Sequence, residues 1–403
     1  MNVLFMSLGT LYNLKDSSVH LDILKRIASE HEVWLLCKNE NKPTEFIDEL
    51  GIHVLRVRTG EMKKVGIIQK GINTLKLESQ FKKAIKKYLS HITFDLVIYT
   101  TPPITFAAAV KYVKERDNAK TYLMLKDIFP QNAVDIGMLK TKGINGVFYR
   151  YFRKKEKQLY KLSDRIGCMS PANMEYVLRN NPEINKEKVE ICPNISVVQD
   201  KSITLEEKKY VRKIYGVPFN KKVFIYGGNL GKPQGIPFLL QCLKQCMFNE
   251  KVFFIIIGQG TEYDSIRNFI DSNQIRNCML MKSIQKDDFE RLVSACDVGL
   301  LFLDHRFTIP NFPARLLSYM KCRLPVLAAT DPNTDVGKVI VDGQFGWWCE
   351  SNDCLEYKKI IDELISIPEQ TMKEKGDKSF NYLKDKFNPD IAYNIIFKKN
   401  KEV

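Results

Sequence analysis

Short, almost wholly apolar stretches alternate along the chain with segments in which apolar residues recur at helical spacing. Asn2–Ser7 predicts a buried strand, Val19–Glu30 predicts an amphipathic helix, and the sequence VWLLC that follows predicts a second strand. Continuous apolar runs of this length are typical of parallel strands that are covered on both faces. The order strand, helix, strand therefore indicates the beginning of a parallel α/β sheet.

The same alternation continues and then restarts in the second half of the chain. The predicted strands are Val54–Val57, Leu96–Thr100, Thr121–Leu125, Arg165–Met169, Lys222–Tyr226, Val252–Ile257, Cys278–Met281, Val298–Phe302 and Pro325–Ala328. Helical patterns lie between them, for example over Ile236–Gln245. Two successive doubly wound units fit this pattern better than one large sheet. We therefore predict an α/β protein with two Rossmann-like domains.

The boundary between the two domains is expected near Pro193 and Asn194, ahead of the charged stretch Asp200–Lys213. The first domain would then span residues 1–195 and the second residues 196–379. The segment Ser379–Lys399 has helical spacing and predicts one terminal helix. Residues 380–403 are expected to return to the first domain and to pack on it.

Composition agrees with two folded domains and adds a strong positive charge. The 403 residues are enough for two domains of ordinary size, and 44% hydrophobic residues are enough to fill their cores. The formal net charge of +15 favours a polyanionic neighbour, such as nucleic acid, an anionic membrane or a phosphorylated ligand. Nucleic acid is the poorest of these, because no nucleic-acid-binding motif is present.

Cysteines and membrane signals exclude several other classes of protein. None of the ten cysteines forms a C-x-x-C pair, and with only five histidines no zinc-binding spacing occurs. Buried, reduced thiols in a cytosolic protein are therefore expected. There is no secretory signal and no apolar run long enough to span a bilayer. We expect a cytoplasmic protein whose membrane contact, if it has one, is peripheral.

The sequence YGGNLGKPQG, Tyr226–Gly235, is the strongest candidate for a ligand loop. It follows a predicted strand and precedes a helix, and ligands of open parallel sheets bind beyond the carboxyl ends of the strands. Glycines allow backbone N–H groups to approach a phosphate, and Lys232 would add a charge. The alternative is a plain tight turn. The loop is not a Walker A motif, because the order G-x-x-x-x-G-K-[ST] is absent.

Two further loops support an anion site, and the first loop of the first domain argues against a nicotinamide cofactor. IIIGQG places Gly258 after another buried strand, although a purely structural turn is equally consistent with it. A helix predicted from Pro313 to Met320 would direct the free N–H groups near Ala314 and Leu316 at an anion, with Arg315 beside them. The first domain lacks G-x-G-x-x-G and offers only Gly9 in its first loop.

Taken in order, these motifs resemble family 4 of the retaining GT-B glycosyltransferases over nearly the whole chain. The resemblance is carried by HEVWLLC, DIFPQNAVDIGML, ICPN, YGGNLGKPQG, IIIGQG, CDVGLLFL, FPARLLSYMKCRLPVLA and VDGQFGWW. Within the family the chain looks most like the branch that builds colanic acid, O-antigens and capsules, including L-N-acetylfucosamine transferases. The resemblance implies two Rossmann-like domains that face each other across a cleft, and a nucleotide-sugar donor, expected to be UDP-linked.

Some positions depart from the family pattern. The broad family carries two glutamates before PVLA, where this chain has Pro310 and Ser318. The colanic-acid branch often has a Pro-Ser-Lys-Leu turn instead, which corresponds here to the sequence PARL that begins at Pro313. Asn229 stands where the family has an arginine, and Lys126-Asp127 stands where many relatives have a histidine. These departures leave the identity of the donor open.

The expected site residues follow from these motifs. Asp127, Lys232 and Arg315 are the predicted catalytic residues: the two cations would neutralise the leaving diphosphate, and Asp127 would orient the acceptor or stabilise the sugar cation. The predicted donor-binding residues are Gly227, Gly228, Asn229, Gly258, Lys282, Ser283, Ile284, Phe312, Pro313, Ala314, Leu316 and Ser318. No metal or other cofactor is required in this scheme. The alternatives are a helix cap for Asp127 and a solvated surface side chain for Arg315.

Two basic segments of the first domain suggest where a lipid-linked saccharide acceptor would bind. The first carries Lys82, Lys83, Lys86 and Lys87, and the second carries Arg153 and Lys154 among aromatic residues. Basic amphipathic segments lie on anionic membranes, and a polyprenyl diphosphate would suit both clusters. Together with Gly9 these residues are the predicted acceptor or membrane contacts. The alternative is two ordinary solvated helix faces whose apolar sides are in the core.

The predicted function is retaining transfer of a sugar, N-acetylated or deoxygenated, from a UDP donor onto a polyprenyl-diphosphate-linked saccharide during synthesis of a bacterial surface polysaccharide. Two other functions remain open. One is a sugar-nucleotide epimerase of the same fold, which needs no acceptor. The other is a degenerate transferase that acts as a membrane-bound partner subunit, which the missing glutamates would suit. The oligomeric state is not predicted.

Overall fold

The computed structural model describes residues 1–9, 11, 13–61, 67–143 and 146–398. It divides into two compact units, one formed by Met1–Val197 with Pro389–Val403 and the other by Val198–Asn388. Each unit is built on a parallel sheet with helices, so the predicted α/β class and the two Rossmann-like sheets are confirmed. The chain leaves the first unit at Val197 and returns to it at Pro389, whereas the sequence suggested 195 and 380.

The first unit contains an eight-stranded sheet with the order β3-β4-β2-β1-β5-β6-β7-β8. All neighbouring strands are parallel except β3, which runs antiparallel to β4 at one edge. The strands are β1 (Asn2–Met6), β2 (Glu32–Glu40), β3 (Glu45–Glu49), β4 (Ile52–Thr59), β5 (Leu96–Thr101), β6 (Lys120–Leu125), β7 (Arg165–Cys168) and β8 (Val189–Ile191).

Helices of the first unit connect these strands and form its core together with them. They are α1 (Val19–Ala28), α2 (Ile67–Tyr88), α3 (Ala107–Asp117), α4 (Gln131–Asp135), α5 (Gly146–Leu162) and α6 (Pro171–Asn180), and a 3-10 turn spans Lys186–Lys188. Ser18 and Ser170 cap α1 and α6 by accepting N–H groups of the first turn. Each such cap contributes about 1 kcal/mol to helix stability.

The second unit contains a six-stranded, all-parallel sheet with the order β11-β10-β9-β12-β13-β14. Its strands are β9 (Lys222–Asn229), β10 (Val252–Gln259), β11 (Cys278–Met281), β12 (Val298–Phe302), β13 (Val326–Thr330) and β14 (Gly346–Glu350). Its helices are α7 (Leu205–Ile214), α8 (Ile236–Cys246), α9 (Tyr263–Ser272), α10 (Lys286–Ser294), α11 (Arg315–Lys321), α12 (Val336–Asp342), α13 (Cys354–Ser366) and α14 (Glu369–Lys386), and a 3-10 turn spans Lys232–Gln234.

The terminal segment differs from its prediction. Instead of one helix over Ser379–Lys399, α14 ends at Lys386 in the second unit, and α15 (Pro389–Lys398) begins a new helix in the first. Pro389 lacks the N–H that a continuous helix would need, and it suits a first helical position. The predicted return to the first unit is nevertheless present, because α15 packs on α1.

Contacts of α15 with the first unit are polar at the rim and aromatic in the middle. Arg26 Nε lies 2.5 Å from a carboxylate oxygen of Asp390. The Tyr393 hydroxyl donates a hydrogen bond to Glu30 at 2.6 Å, and the His31 and Phe397 rings stack at 4.5 Å. None of the described helices combines the length and the apolar character that crossing a bilayer demands.

The ten cysteines agree with the expected role as core residues. All are free, eight are buried, and Cys278 and Cys354 are half-buried. Burial raises the pKa of the Cys37 and Cys246 thiols to about 12. Such thiols stay protonated at neutral pH and behave as small apolar side chains.

Candidate functional site

The glycines of the predicted phosphate loop lie where two neighbouring strands end and nearly touch. Gly228 and Gly258 are paired in the register of β9 and β10, and a Cβ atom on Gly258 would lie only 1.8 Å from the Gly228 oxygen. Gly228 has a φ of +134°, which a residue with a side chain rarely adopts. A Cβ atom on Gly227 would lie 2.3 Å from the Phe289 ring. Gly228 and Gly258 therefore require glycine, and a side chain at Gly227 would have to displace the Phe289 ring, so the end of β9 is bare.

Arg315 is the cation that the fold fixes beside this bare turn. A Cβ atom on Gly228 would lie 2.9 Å from its Nη2 atom, so the guanidinium occupies the space that a side chain would fill. Its Cζ atom lies 4.3 Å from the centre of the Tyr226 ring, within the range of a cation–π contact. Its Nη1 atom is buried without a hydrogen-bond partner in the described part of the chain. The side chain as a whole is only half-buried, so a ligand can reach it.

Tyr319 holds the Arg315 helix and the glycine turn together, and no motif in the sequence points to it. Its hydroxyl accepts the Gly227 N–H at 3.2 Å and donates to the Leu300 carbonyl at 2.9 Å. It lies one helical turn after Arg315, on the same face of α11. That spacing is the signal that could have identified it. Through this hydroxyl, the positions of the glycine turn and of α11 depend on each other.

The remainder of the glycine loop is closed by its own side chains. Asn229 donates its amide to Gln234 Oε1 at 2.9 Å, and the Gly231 N–H donates to the same oxygen at 3.2 Å. The Asp304 N–H donates to the Pro233 carbonyl at 3.0 Å, which fixes the loop against the end of β12. Lys232 lies at the start of the 3-10 turn with an exposed side chain. Asn229 thus supports the loop, and Lys232 is the more exposed of the two predicted cations.

The predicted N–H donors of α11 need a correction. The helix begins at Arg315, not at Pro313, and its first turn is tightened: the Leu316 N–H donates to the Pro313 carbonyl at 3.2 Å. Leu316 therefore offers no free N–H to a ligand, and its side chain is fully buried. Ala314 is exposed at the N-cap position, and Pro313 lies beside it, half-buried. A tightened first turn is common where the chain enters a helix from a constrained loop.

The other predicted donor residues are spread along the same edge of the sheet. Ser318 is half-buried on α11, one turn from Arg315. Phe312 is buried and its ring packs 5.6 Å from that of Phe387, so it is a core residue. Lys282 and Ser283 are exposed and Ile284 is half-buried. These three follow the edge strand β11, which is separated from β9 by β10.

In the first unit, Asp127 lies just beyond β6 in a network that fixes its side chain. Asn132 Nδ2 donates to both carboxylate oxygens at 2.8 Å, and Thr101 Oγ1 donates to the Asp127 carbonyl at 3.2 Å. Burial raises the pKa of Asp127 to about 6, although the hydrogen bond from Asn132 acts against this rise. The Asp127 carboxyl does not cap α4, because the N-cap residue of that helix is Pro130. It is a preorganised group that titrates near neutral pH.

Lys126 is held beside Asp127 but points to a different partner. Its Nζ atom donates to the carbonyls of Cys192 and Pro193 at 3.4 and 3.2 Å. Burial lowers the pKa of Lys126 below its ordinary value. Lys126 is therefore not freely solvated, and its ammonium group is held at the carboxyl end of the sheet.

A serine–histidine pair lies at the same edge of the first sheet and was not predicted. Ser7 Oγ and His20 Nδ1 are 3.2 Å apart, and the Gly9 N–H donates to Ser7 Oγ at 3.1 Å. Burial and then the charge of Lys126 lower the pKa of His20 to about 4, so the ring is neutral at pH 7. Ser7 directly follows β1, so the rule that ligands bind beyond strand ends could have identified it. Gly9 thus belongs to a polar cluster with Ser7, His20 and Lys126.

The two predicted basic segments form parts of α2 and α5, which an ion pair joins. Lys155 of α5 lies 2.5 Å from Glu78 of α2. In α2 the apolar side chains Leu77, Phe81, Ala84 and Ile85 are buried, and so is Leu89 directly after the helix, as the alternative of an ordinary helix face required. Lys83, Lys86 and Lys87 are exposed, and the ammonium groups of Lys82 and Lys86 lie 5.6 and 5.0 Å from the centre of the Tyr112 ring.

Helix α5 differs from α2 because it exposes apolar side chains next to its cations. Val147 and Phe148 are 52% and 59% exposed, and Arg150 and Lys154 beside them are exposed as well. Arg153 does not contribute to this surface as predicted. Its guanidinium is bound internally to Glu156 at 2.5 Å and to Asn181 at 2.6 Å. Within the described ranges, no group of three His, Cys, Asp or Glu side chains is placed to hold a metal ion.

Sequence comparison places the glycine turn and Arg315 in a known type of domain. Residues 207–379 match the family model described as glycosyl transferases group 1, and this range covers most of the second unit. The second unit is a group 1 glycosyltransferase domain. The match contains the glycine turn, Arg315 and Tyr319, whereas Asp127, His20 and the basic helices lie outside it.

Two relatives and one solved structure extend the similarity beyond this group 1 domain. WbjE of Pseudomonas aeruginosa, assigned as a glycosyltransferase, is 25% identical over 308 residues, or 75% of this chain and 71% of WbjE. WcaI of Escherichia coli, assigned as a colanic acid biosynthesis glycosyl transferase, is 22% identical over 252 residues, or 61% of this chain and 60% of WcaI. Anabaena HepE, solved with UDP and glucose, matches with a TM-score of 0.71 at 16% identity, covering 100% of both chains. This structural likeness confirms the GT-B fold.

Proposed function

We propose that this protein transfers a sugar, with retention, from a UDP-sugar onto a polyprenyl-diphosphate-linked saccharide during synthesis of a bacterial surface polysaccharide. The observation that carries the proposal is the half-buried Arg315 guanidinium, which is fixed against Gly228 in the group 1 glycosyltransferase domain. The solved complex of HepE with UDP and glucose supports UDP as the nucleotide. The assignment of WcaI to colanic acid biosynthesis supports a polysaccharide product.

The proposed chemistry depends on charge that grows on the leaving diphosphate as the glycosidic bond breaks. A guanidinium that is already in place stabilises this charge without reorganising in the transition state. The bare glycine turn would admit the phosphate oxygens close to backbone N–H groups. In a front-face route the leaving phosphate takes the proton of the acceptor hydroxyl, so this scheme needs no pair of catalytic carboxylates. No metal is required where fixed cations neutralise the diphosphate.

The first unit would bind the acceptor and stabilise the sugar. Asp127 is held by Asn132 with both carboxylate oxygens engaged, so it would act as a fixed negative charge beside the oxocarbenium-like sugar. Neutral His20, hydrogen-bonded to Ser7, would contact a hydroxyl of donor or acceptor. The charge of Lys126 would favour an anionic acceptor such as a lipid diphosphate.

Nucleotide-sugar binding tests the proposal most directly. UDP-sugars should raise the melting temperature of the purified chain, whereas GDP- and ADP-sugars should have a smaller effect, because a ligand stabilises only the state that binds it. The Arg315→Ala variant should lose most of the shift. If no nucleotide sugar shifts the melting temperature, the chain does not bind a donor and the degenerate-transferase alternative is favoured. Conversion of a UDP-sugar into its epimer without acceptor would favour the epimerase alternative.

We further propose that α5 contacts an anionic membrane through Val147, Phe148, Arg150 and Lys154, and binding to vesicles tests this contact. Val147→Ser/Phe148→Ser should lower the partition constant onto vesicles of phosphatidylglycerol and phosphatidylcholine by about 100-fold or more, because each apolar side chain loses about 1.5–3 kcal/mol of burial. This loss should persist at high salt. Activity on a water-soluble acceptor should be unchanged. Vesicles of phosphatidylcholine alone should bind the wild-type chain weakly.

The α2 lysines provide a matched comparison for the same assay. Charge reversal at Lys82, Lys83, Lys86 and Lys87 should weaken vesicle binding only at low salt, by about 1 kcal/mol per lysine near the surface. Their helix exposes no apolar side chain among its described residues, so it has nothing to insert. Unchanged sedimentation of both variants would contradict the membrane contact of this face.

A further inference from the structure

A cavity of about 1440 Å³ lies in the second unit at the edge of the sheet away from the glycine turn. Its lining includes Lys222, which begins β9, Lys251, which precedes β10, and Asp297, which precedes β12. The glycine turn follows the other ends of β9 and β10. Because β9 has eight residues, the two edges are separated by roughly 25 Å. The cavity is therefore distinct from the proposed donor site.

The carboxylates that line this cavity are almost all neutralised by fixed cations. Asp297 accepts hydrogen bonds from Lys208 at 2.6 Å and from Arg212 at 2.8 Å. Burial alone would raise the pKa of Asp297, but these two charges hold it below its ordinary value. Asp200 and Asp377 both bind Arg323, at 2.9 and 2.6 Å. Of the four acidic residues in the lining, only Glu369 has no basic partner among the described residues.

Five lysines of the lining have no carboxylate partner among the residues that the structure describes: Lys209, Lys221, Lys222, Lys251 and Lys373. Three of them lie on neighbouring stretches of backbone where β9 and β10 begin. The Lys222 N–H donates to the Lys251 carbonyl at 2.8 Å, and Lys221 is the preceding residue. Cations gathered on one concave surface repel one another, and a bound anion relieves this repulsion. A concave surface with this excess of ammonium groups is suited to a ligand with several negative charges.

We propose that this cavity, here called the lysine cavity, binds a small soluble oligophosphate at a site separate from the donor. The shape favours a small ligand over a membrane, because a flat bilayer does not reach cations inside a concave surface. The number of free lysines favours several phosphate groups over one. The exposed Phe219 ring and Leu205 at the rim offer apolar surface to a nucleoside attached to such a chain. This inference does not depend on the proposed transfer reaction.

Calorimetric titration with inorganic tripolyphosphate tests the lysine cavity. To remove the proposed donor site, the titration is done on the Arg315→Ala variant of the full chain as well as on the wild type. We expect one saturable site in both proteins. Lys222→Gln/Lys251→Gln should weaken it about tenfold or more, because charge-assisted contacts to phosphate are lost. Lys244→Gln/Lys338→Gln, which changes two exposed lysines elsewhere in the unit, should leave it unchanged.

Three outcomes would overturn this site. One is the absence of saturable binding in the wild type. Another is equal affinity of the wild type and Lys222→Gln/Lys251→Gln, provided that both unfold at the same temperature. The third is loss of the tripolyphosphate site in Arg315→Ala, which would assign the binding to the donor site. If the double variant is unstable, the single variant Lys209→Gln on α7 should still weaken binding several-fold. Binding to phosphatidylglycerol vesicles that depends on Lys222 and Lys251 would also contradict a soluble ligand.

Discussion

Replacing Arg315 by alanine should reduce kcat/KM for sugar transfer by about 100- to 1,000-fold, which is the loss seen when one fixed donor to a developing oxyanion is removed. The guanidinium lies at the bare glycine turn and is held on one side by the Tyr226 ring. Its position requires no reorganisation when the diphosphate leaves. Initial rates with a UDP-sugar and a soluble acceptor, measured over a range of donor concentrations, check this result.

Substitution by lysine separates charge from geometry at the same position. Arg315→Lys retains a cation but loses the planar fork and the stacking on Tyr226, so it should recover only part of the activity. Arg267→Ala is a suitable control, because Arg267 is a surface arginine of α9 whose ion pair with Asp264 is 3.4 Å long. It should behave as wild type. Lys232→Ala should have a smaller effect than Arg315→Ala, since the Lys232 side chain is exposed.

Normal transfer by Arg315→Ala would show that the leaving diphosphate is not neutralised there. A fall in activity matched by a fall in melting temperature would indicate a structural role in the packing of α11 on β9. The thermal assay with UDP distinguishes the two roles, because a variant that is folded but no longer stabilised by UDP has lost nucleotide binding. Both measurements are therefore needed on the same protein.

The strands of both sheets could be predicted because buried parallel strands are continuous apolar runs. Cys278–Met281 and Val298–Phe302 have the same bounds in the sequence prediction and in the structure. The edge strand β3, Glu45–Glu49, was missed because its sequence EFIDE is mostly charged and partly exposed. An edge strand needs apolar residues on one face only, and charge protects it from further pairing. Strand β8 has three residues and is too short for any period.

The bare glycine turn could be predicted, but the network that fixes it could not. Glycines after a strand are visible in the sequence, whereas the Gly227–Tyr319 hydrogen bond joins residues 92 positions apart. The same holds for Phe289, whose ring occupies the space beside Gly227. The N–H of Leu316 was wrongly expected to face a ligand, because its use by the Pro313 carbonyl depends on how the preceding loop enters α11. Local patterns identify turns, and tertiary packing decides which groups in them stay free.

Asp127→Asn should reduce kcat by about 100-fold or more while leaving donor affinity nearly unchanged, because a fixed negative charge beside a sugar cation acts mainly in the transition state. The wild-type enzyme should lose activity as the pH falls through about 6, since burial raises the pKa of Asp127 to about 6 and the active form is ionised. This acid limb should be absent from the residual activity of the variant. A pH profile of kcat at saturating donor checks it.

The Asp127→Asn substitution should affect stability in the opposite direction to activity. The folded pKa of about 6 exceeds the ordinary value of 3.8, so the folded state binds the proton more tightly than the unfolded state. The stability that this group contributes is therefore present below pH 3.8 and is lost as the pH rises through 6. Asp127→Asn removes the buried charge and should raise the free energy of unfolding at neutral pH by about 1–2 kcal/mol. A variant that is less active and more stable is characteristic of a strained functional group.

Asp331 is the control that assigns the acid limb to one carboxyl. Burial also raises its pKa to about 6, but its Oδ1 atom accepts the N–H groups of Asn333 and Thr334 and so holds a turn of the second unit. Asp331→Asn should therefore retain the acid limb of kcat even if it lowers stability. If the acid limb is lost in Asp331→Asn and persists in Asp127→Asn, the titrating carboxyl lies in the second unit. That result would contradict the proposed role of Asp127. The charge of Glu156 helps to raise the pKa of Asp127. Glu156→Gln should therefore shift the midpoint of the acid limb of kcat to lower pH.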